Sequence, residues 1–369
     1  MLYMRRSDRG PALPLDSAMQ LPPLVGHEGV KQRLARATAT GRLPQALLLA
    51  GPRGVGKQRL ALWLAQLIHC EAPRADGREP CGECRSCHLV LTLQHPDVHW
   101  FVPIELSKKG ADADKQVDLV AEALAEEMTA RREQPLYAPP SGLAIHPIAA
   151  VRLLLRRLAL TPAMGKRKVF IVGDAERLIP QRGSEDAANA LLKALEEPPA
   201  DSVILVTAAD PNALLPTILS RVVLVRVARI ADTAVTAFVQ QMLANTPKPE
   251  VPQRVNAAEG CIGKLFATQG SVENPDQGDR FLEAVEKGPA TRHAFALAQM
   301  PFQARGGFTD MLDGLAGRLR AEAKRGGDTE KLVEAIALVM DARELAQGNV
   351  NPQLLAAVLA EDLSRAQRP

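Results

Sequence analysis

The stretch Leu47-Leu48-Leu49-Ala50 runs directly into Gly51-Pro52-Arg53-Gly54-Val55-Gly56-Lys57-Gln58. A short apolar strand feeding Gly-x4-Gly-Lys is the Walker A arrangement, in which glycines let backbone N–H groups curl around phosphates and the lysine reaches the outer ones. Strand, loop and a following helix with Leu60, Leu62, Leu64, Leu67 and Ile68 make a β-loop-α unit, so a parallel α/β architecture is expected. The loop residues Gly51, Gly54, Gly56, Lys57 and Gln58 are candidate nucleotide contacts. One working part is missing. After the lysine a hydroxyl side chain normally holds Mg²⁺, and here that position is Gln58, a longer amide that points differently.

A second metal position is missing as well. Lys168–Val172 predicts the strand that would end in an acidic pair, an Asp holding Mg²⁺ followed by a Glu polarising water. Gly173 and Asp174 stand there. Glycine offers no ligand, and Asp174 is a methylene shorter than the expected Glu. Phosphoryl transfer relies on electrostatic neutralisation, so losing the ion removes most of the rate. The alternative is that Asp174 or Glu176 reaches the ion from a shifted register.

Four of the five cysteines cluster as Cys70, Cys81, Cys84 and Cys87. The two x2 spacings let successive sulfurs converge on one ion, and a fourth thiolate from the preceding helix end closes a tetrahedral Zn²⁺ site with no open position. Such a site is structural. His88 could replace one cysteine, and four reduced thiols without metal are the plainer reading. Cys261 lies far off and reads as a small core residue. Clustered cysteines without a secretory signal favour a reducing cytoplasm, and no apolar stretch suggests a membrane span.

At 369 residues the chain has room for two or three domains. A net charge of +3 and 3% aromatic residues leave little overall field or stacking surface for nucleic acid, which would have to be bound through local patches or an assembly. Residues 1–24 read as a loose tail. A helix follows from Val25 to Gly41, and Val98–Pro103 reads as a strand. Residues 107–140 read as an insertion with one surface helix striped by Val117, Val120, Ala121 and Leu124. Ile148–Leu160 is strongly amphipathic; its Arg152, Arg156 and Arg157 face either phosphates or water. Beyond Arg229 the pattern is helical, with a Pro247–Pro252 linker and a small helical segment at Val255–Thr268. Then come five helical stretches between Asp276 and Gln367, broken by Gly-Pro, Gly-Gly and Asn-Pro.

Ala187–Pro199, Val203–Thr207 and Pro216-Thr217-Ile218-Leu219-Ser220-Arg221 resemble the bacterial DNA polymerase III clamp loader, an AAA+ family. The four cysteines combined with degraded Walker motifs resemble its non-hydrolysing delta-prime branch more than the ATP-hydrolysing gamma/tau branch. The resemblance covers about residues 24–229 with specific motifs. It implies an α/β AAA+ P-loop domain (25–229) with a parallel five-stranded sheet, a zinc module at 70–87 and the 107–140 insertion. A helical lid (230–270) and an all-α collar (276–369) would follow. Cys70, Cys81, Cys84 and Cys87 match zinc ligands. Arg221 matches the arginine offered to a neighbour's ATP, with Val222 in place of the motif's cysteine. Ala208 and Ala209 stand where a polar sensor is expected, and Lys264 occupies the place of a second sensor. ATP or ADP would sit in the loop unhydrolysed, if at all.

The implied partners are gamma/tau-type and delta-type subunits in a cytoplasmic hetero-pentamer, the sliding clamp, and primer-template DNA through the assembly. The implied chemistry belongs to the polymerase holoenzyme rather than to this chain. Two other classes stay open: an active ATPase motor of the gamma/tau type using Lys57, and a zinc-dependent nucleic-acid binder using Arg152, Arg156 and Arg157. A surface arginine capping a helix end is the plain alternative for Arg221.

Overall fold

The computed structural model describes residues 21, 24–75, 77–105, 112–133, 144–179, 185–243, 248–266, 276–300, 307–324, 326, 328–346 and 350–366. The expected tail, apart from Leu21 and Leu24, lies outside them, as do residues 107–111 and 134–140 of the insertion and 244–247 and 267–270 of the lid.

Five parallel strands, β1 (Ala46–Ala50), β2 (Val98–Phe101), β3 (Lys168–Val172), β4 (Ser202–Ala208) and β5 (Val223–Arg226), form one sheet in the order β2-β3-β4-β1-β5. β1, β3 and β4 are buried throughout, which is why they read as largely apolar runs, with Lys168, Ser202 and Thr207 as buried polar exceptions. The pleat sends alternate residues to opposite faces. Leu48, Phe170, Ile204 and Val206 pack beneath α4 (Ala113–Glu133), α5 (Ile148–Leu158) and α6 (Asp186–Glu196). Leu47, Leu49, Val169, Ile171, Val203 and Leu205 pack beneath α1 (Glu28–Ala39) and α2 (Lys57–His69). The stripe expected on the insertion helix is real: Val117, Val120 and Leu124 of α4 are buried in the first of these layers, with Ala121 against it.

β5 forms one edge of the sheet and β2 the other, and Val223 and Leu224 are exposed on β5. A short α3 (Arg85–Leu91) follows the cysteine segment, and α7 (Pro216–Leu219) precedes β5. Asp97, entering β2, accepts the backbone N–H groups of Ala163, Met164 and Gly165 at 2.5, 2.7 and 2.6 Å. Burial opposes the charge on this carboxyl, but these bonds outweigh it and hold it below the usual carboxylate range.

Two further apolar clusters follow the sheet. Val235, Phe238 and Val239 of α8 (Asp232–Met242) pack with Val255 and Ala258 of α9 (Val251–Ala258) and with Leu265 and Phe266. Of the expected Pro247–Pro252 linker, Pro247 lies outside the described residues, Lys248–Glu250 form a short 3-10 turn, and Pro252 sits in the first turn of α9, where its missing N–H costs nothing. The second cluster joins α10 (Asp276–Lys287), α11 (Pro289–Leu297), α12 (Gly307–Lys324), α13 (Thr329–Ala346) and α14 (Pro352–Ala366). Among the described residues no helix is long and apolar enough to cross a membrane.

A candidate phosphate-loop site and a candidate metal centre

The phosphate loop joins the carboxyl end of β1 to the first turn of α2, at the carboxyl end of the sheet, where ligands of open parallel sheets collect. A Cβ at Gly51 would fall 2.1 Å from the Val227 carbonyl oxygen, so the close approach of the chain after β5 admits only glycine. His27 Nε2 lies 2.8 Å from the Val55 carbonyl oxygen, and the Gly263 N–H donates to the Gly54 carbonyl at 2.8 Å. The loop is therefore held from both flanks.

Lys57 does not reach outward. Its ammonium donates to the carbonyls of Gly51 and Pro52 at 2.8 and 3.0 Å and is almost fully buried. Burial lowers its pKa, and the charges of Asp174 and Glu176 oppose that shift. Burial likewise raises the Glu176 carboxyl, with Asp174 adding to the effect.

The two missing metal positions prove to be one arrangement. The Gln58 amide lies over Gly173, where an added Cβ would meet its Oε1, Cδ and Nε2 atoms at 2.7, 2.8 and 2.9 Å. Gln58 Nε2 donates to Asp174 Oδ2 at 3.0 Å, and the Trp100 indole N–H donates to Gln58 Oε1 at 3.1 Å. An acidic side chain at position 173 and the glutamine at 58 would compete for one volume. The residues present do not fit a magnesium ion: the space beside Asp174 is filled by a neutral amide already bonded on both sides.

Backbone geometry supports this. Asp174 adopts the left-handed conformation at φ 49°, which aspartate tolerates, and its N–H donates to the buried Thr207 hydroxyl at 3.0 Å. His146 Nε2 lies 2.6 Å from the Gly173 carbonyl oxygen. Thr207, Trp100 and His146 all escaped the sequence reading. Ala208 is buried at the end of β4, and the Ala209 N–H donates to Glu176 Oε1 at 3.3 Å.

Cys70, Cys81, Cys84 and Cys87 converge, with each ligand atom within 4.8 Å of the others. The Cys81 and Cys87 sulfurs are 3.8 Å apart, about the edge of a tetrahedron with metal–sulfur bonds of about 2.3 Å. Backbone N–H groups point at three of the sulfurs: Cys81 at Cys70, Cys84 at Cys81, and Cys87 at Cys84. Burial opposes the Cys81 thiolate, yet the Glu83 and Cys84 N–H groups bring its pKa down to about 7, whereas burial pushes Cys87 up. This donor set fits zinc, and His88 is not part of the cluster. Glu79, beside it, accepts the Trp63 indole N–H at 3.0 Å and pairs with Lys31 at 2.9 Å, fastening the segment to α1 and α2. Cys261 is fully buried, as expected of a core residue.

Arg221 lies at the end of α7. Its guanidinium pairs with Glu196 at 2.9 Å and donates to the Thr217 carbonyl at 2.9 Å and to Ser220 Oγ at 3.2 Å. Lys264 pairs with Glu259 at 2.6 Å. Of the three arginines of α5, Arg152 and Arg156 lie one turn apart and exposed, Arg156 pairing with Asp114, while Arg157 is half-buried 6.0 Å over the Phe101 ring.

These features define a parallel α/β phosphate-loop domain whose metal position is filled from within and which carries a four-cysteine cluster beside α2. The family profile described as DNA polymerase III, delta subunit, matches residues 26–231, more than half of the chain. The chain is 36% identical over 179 residues to the DNA polymerase III subunit delta' of Pseudomonas aeruginosa, covering 48% of this chain and 41% of that one. It is 31% identical over 192 residues to the subunit delta' of Bacillus subtilis (52% and 44%) and 31% identical over 198 residues to subunit tau of Escherichia coli (54% and 24%). The matched stretch spans less than half the length of these relatives. Among solved structures, a DNA polymerase III gamma-subunit-related protein from Thermotoga maritima aligns over 91% of this chain and 99% of that one, with 16% identity and a TM-score of 0.42. The chain belongs to the DNA polymerase III delta' family of clamp-loader subunits.

Proposed function

We propose that this chain is a non-hydrolysing clamp-loader subunit that helps place a sliding clamp on primed DNA and lends Arg221 to the ATP of a neighbouring subunit. The observation that carries the reading is the Gln58 amide seated over Gly173 and bonded to Asp174. A site that cannot hold its divalent ion lacks the charge neutralisation on which phosphoryl transfer depends. The loop Gly51–Gly56 with Lys57 then serves as scaffold, with ATP or ADP at most held there and not cleaved.

Arg221 is the residue assigned to act in trans. Its partners are a half-exposed carboxylate and a helix-end carbonyl, contacts weak enough to be exchanged for a phosphate, and a guanidinium suits that role by its fixed charge and fork of donors. Zinc held by Cys70, Cys81, Cys84 and Cys87 would cross-link the 70–87 module. Residues 25–229 form the AAA+ domain in this reading, residues 230–270 the lid and 276–369 the oligomerisation collar; the separate apolar clusters of α8–α9 and α10–α14 favour that division. The partners are gamma/tau-type and delta-type subunits, the clamp, and DNA through the cytoplasmic assembly.

Reconstitution with gamma/tau-type and delta-type partners provides the test. Arg221→Ala should leave the complex assembled and cut turnover at the site it serves by on the order of 10³. Undiminished DNA-stimulated turnover would refute the finger, and ATP hydrolysis by the purified chain, lost in Lys57→Ala, would refute the non-hydrolysing reading.

A further inference from the structure

The stopper over Gly173 is itself held. Trp100 stands on the edge strand β2 with its indole N–H on Gln58 Oε1, and the Arg131 guanidinium of α4 lies 4.8 Å over the indole ring. Arg131 is mostly buried and fixed by Glu127, one turn earlier, at 2.8 Å. The same helix anchors Val117, Val120 and Leu124 in the core, with Met128 packed against it, so Arg131 is presented from a firmly seated element. A cation over an indole face is attractive, more so when water is excluded. The contacts therefore run unbroken from the inserted helix to the vacated metal position: Arg131, Trp100, Gln58, Asp174.

We infer that Trp100 is a positioning residue through which the inserted helix α4 braces the Gln58 amide over Gly173, so that the insertion keeps divalent cations out of the phosphate-loop site. An amide side chain has several rotamers, and only one of them places Oε1 toward Trp100 and Nε2 toward Asp174 at once. Without the indole, Oε1 loses its donor and the amide turns freely, leaving Asp174 open to a cation. This inference rests on the non-hydrolysing reading above and adds to it the residues that enforce it.

The experiment uses the full chain, with binding of manganese·ATP followed by electron paramagnetic resonance and the two tryptophans followed by ¹⁹F resonances of 5-fluorotryptophan. Gln58→Ser removes the stopper and should bind manganese·ATP at least tenfold more tightly than the wild type. Trp100→Phe and Arg131→Gln should gain affinity in the same direction by a smaller factor. Arg131→Lys, which keeps a cation over the ring, should restore wild-type behaviour. In Arg131→Gln the Trp100 resonance should shift while that of Trp63 stays in place. Wild-type affinity in both Trp100→Phe and Arg131→Gln, with a gain in Gln58→Ser, overturns the brace and leaves the functional reading intact. No gain in Gln58→Ser overturns the stopper as well. Should Trp100→Phe fail to fold, the Arg131→Gln and Arg131→Lys pair decides. ATP turnover by the wild-type chain sinks the functional reading instead, so the two failures are distinguishable.

Discussion

Adding a single methyl group at Gly173 tests the packing of the stopper directly. In Gly173→Ala the new Cβ would stand 2.7–2.9 Å from three atoms of the Gln58 amide, against about 3.5–4.0 Å for ordinary contact. The amide must retreat by roughly 1 Å, which breaks its bonds to Asp174 and Trp100, each worth about 1 kcal/mol net. The expected cost is about 2–3 kcal/mol, within the usual range for overpacking. In a Gln58→Ser background the amide is already gone, and the methyl group enters space the shorter side chain leaves empty. Its cost there should be close to nothing, so the two substitutions should couple by about 2 kcal/mol. Guanidinium titrations of the four proteins followed by tryptophan fluorescence measure this, since both tryptophans, Trp63 and Trp100, belong to the sheet domain. Additive effects, within about 0.5 kcal/mol, would show that the two positions do not share one volume.

Other outcomes follow from the same geometry. His146 is buried and its pKa falls to about 4, through burial opposed by its bond to the Gly173 carbonyl. The unfolded chain takes up that proton near pH 6.5 and the folded chain only near 4, so stability rises with pH across this window and is lost on acidification, by up to about 3 kcal/mol for this group. His146→Gln should flatten the slope of stability against pH between 4 and 6.5; an unchanged slope argues against a buried neutral imidazole there. For the cysteine cluster, elemental analysis should find one zinc per chain, abolished in Cys87→Ser and retained in Cys261→Ser. Zinc lost from the second variant, or kept by the first, removes the four-cysteine assignment.

Most of the sheet could be read from the chain because β1, β3 and β4 are covered on both faces and so appear as largely apolar runs. The cysteine cluster was legible because its ligands are close in sequence and their spacing is set by the metal. The central site was legible only as a pair of absences. Gln58 and Gly173 each read as a lost ligand, yet the physical fact is that one fills the other's space, and the two positions lie in strands and helices brought together only by the sheet. Trp100 reaches Gln58 from the edge strand, and no spacing rule joins such distant residues. Arg221 could be singled out by motif, but the bond that ties it to Glu196 comes from packing between α6 and α7.

The grip of Asp97 on the 163–165 backbone bears on how the molecule assembles itself. Val98 pairs with Val169, and between them lie α4 and α5, so this edge of the sheet closes a long loop before any contact repays the lost chain entropy. Pairings between residues so far apart form slowly, and the pairings of β1 with β4 and β5 join segments farther apart still. One carboxylate collecting three N–H groups at the mouth of that loop rewards closure at the instant it occurs. The edge strand that carries Trp100 is thus expected to dock when that loop closes, with Asp97 as the latch that rewards its closure.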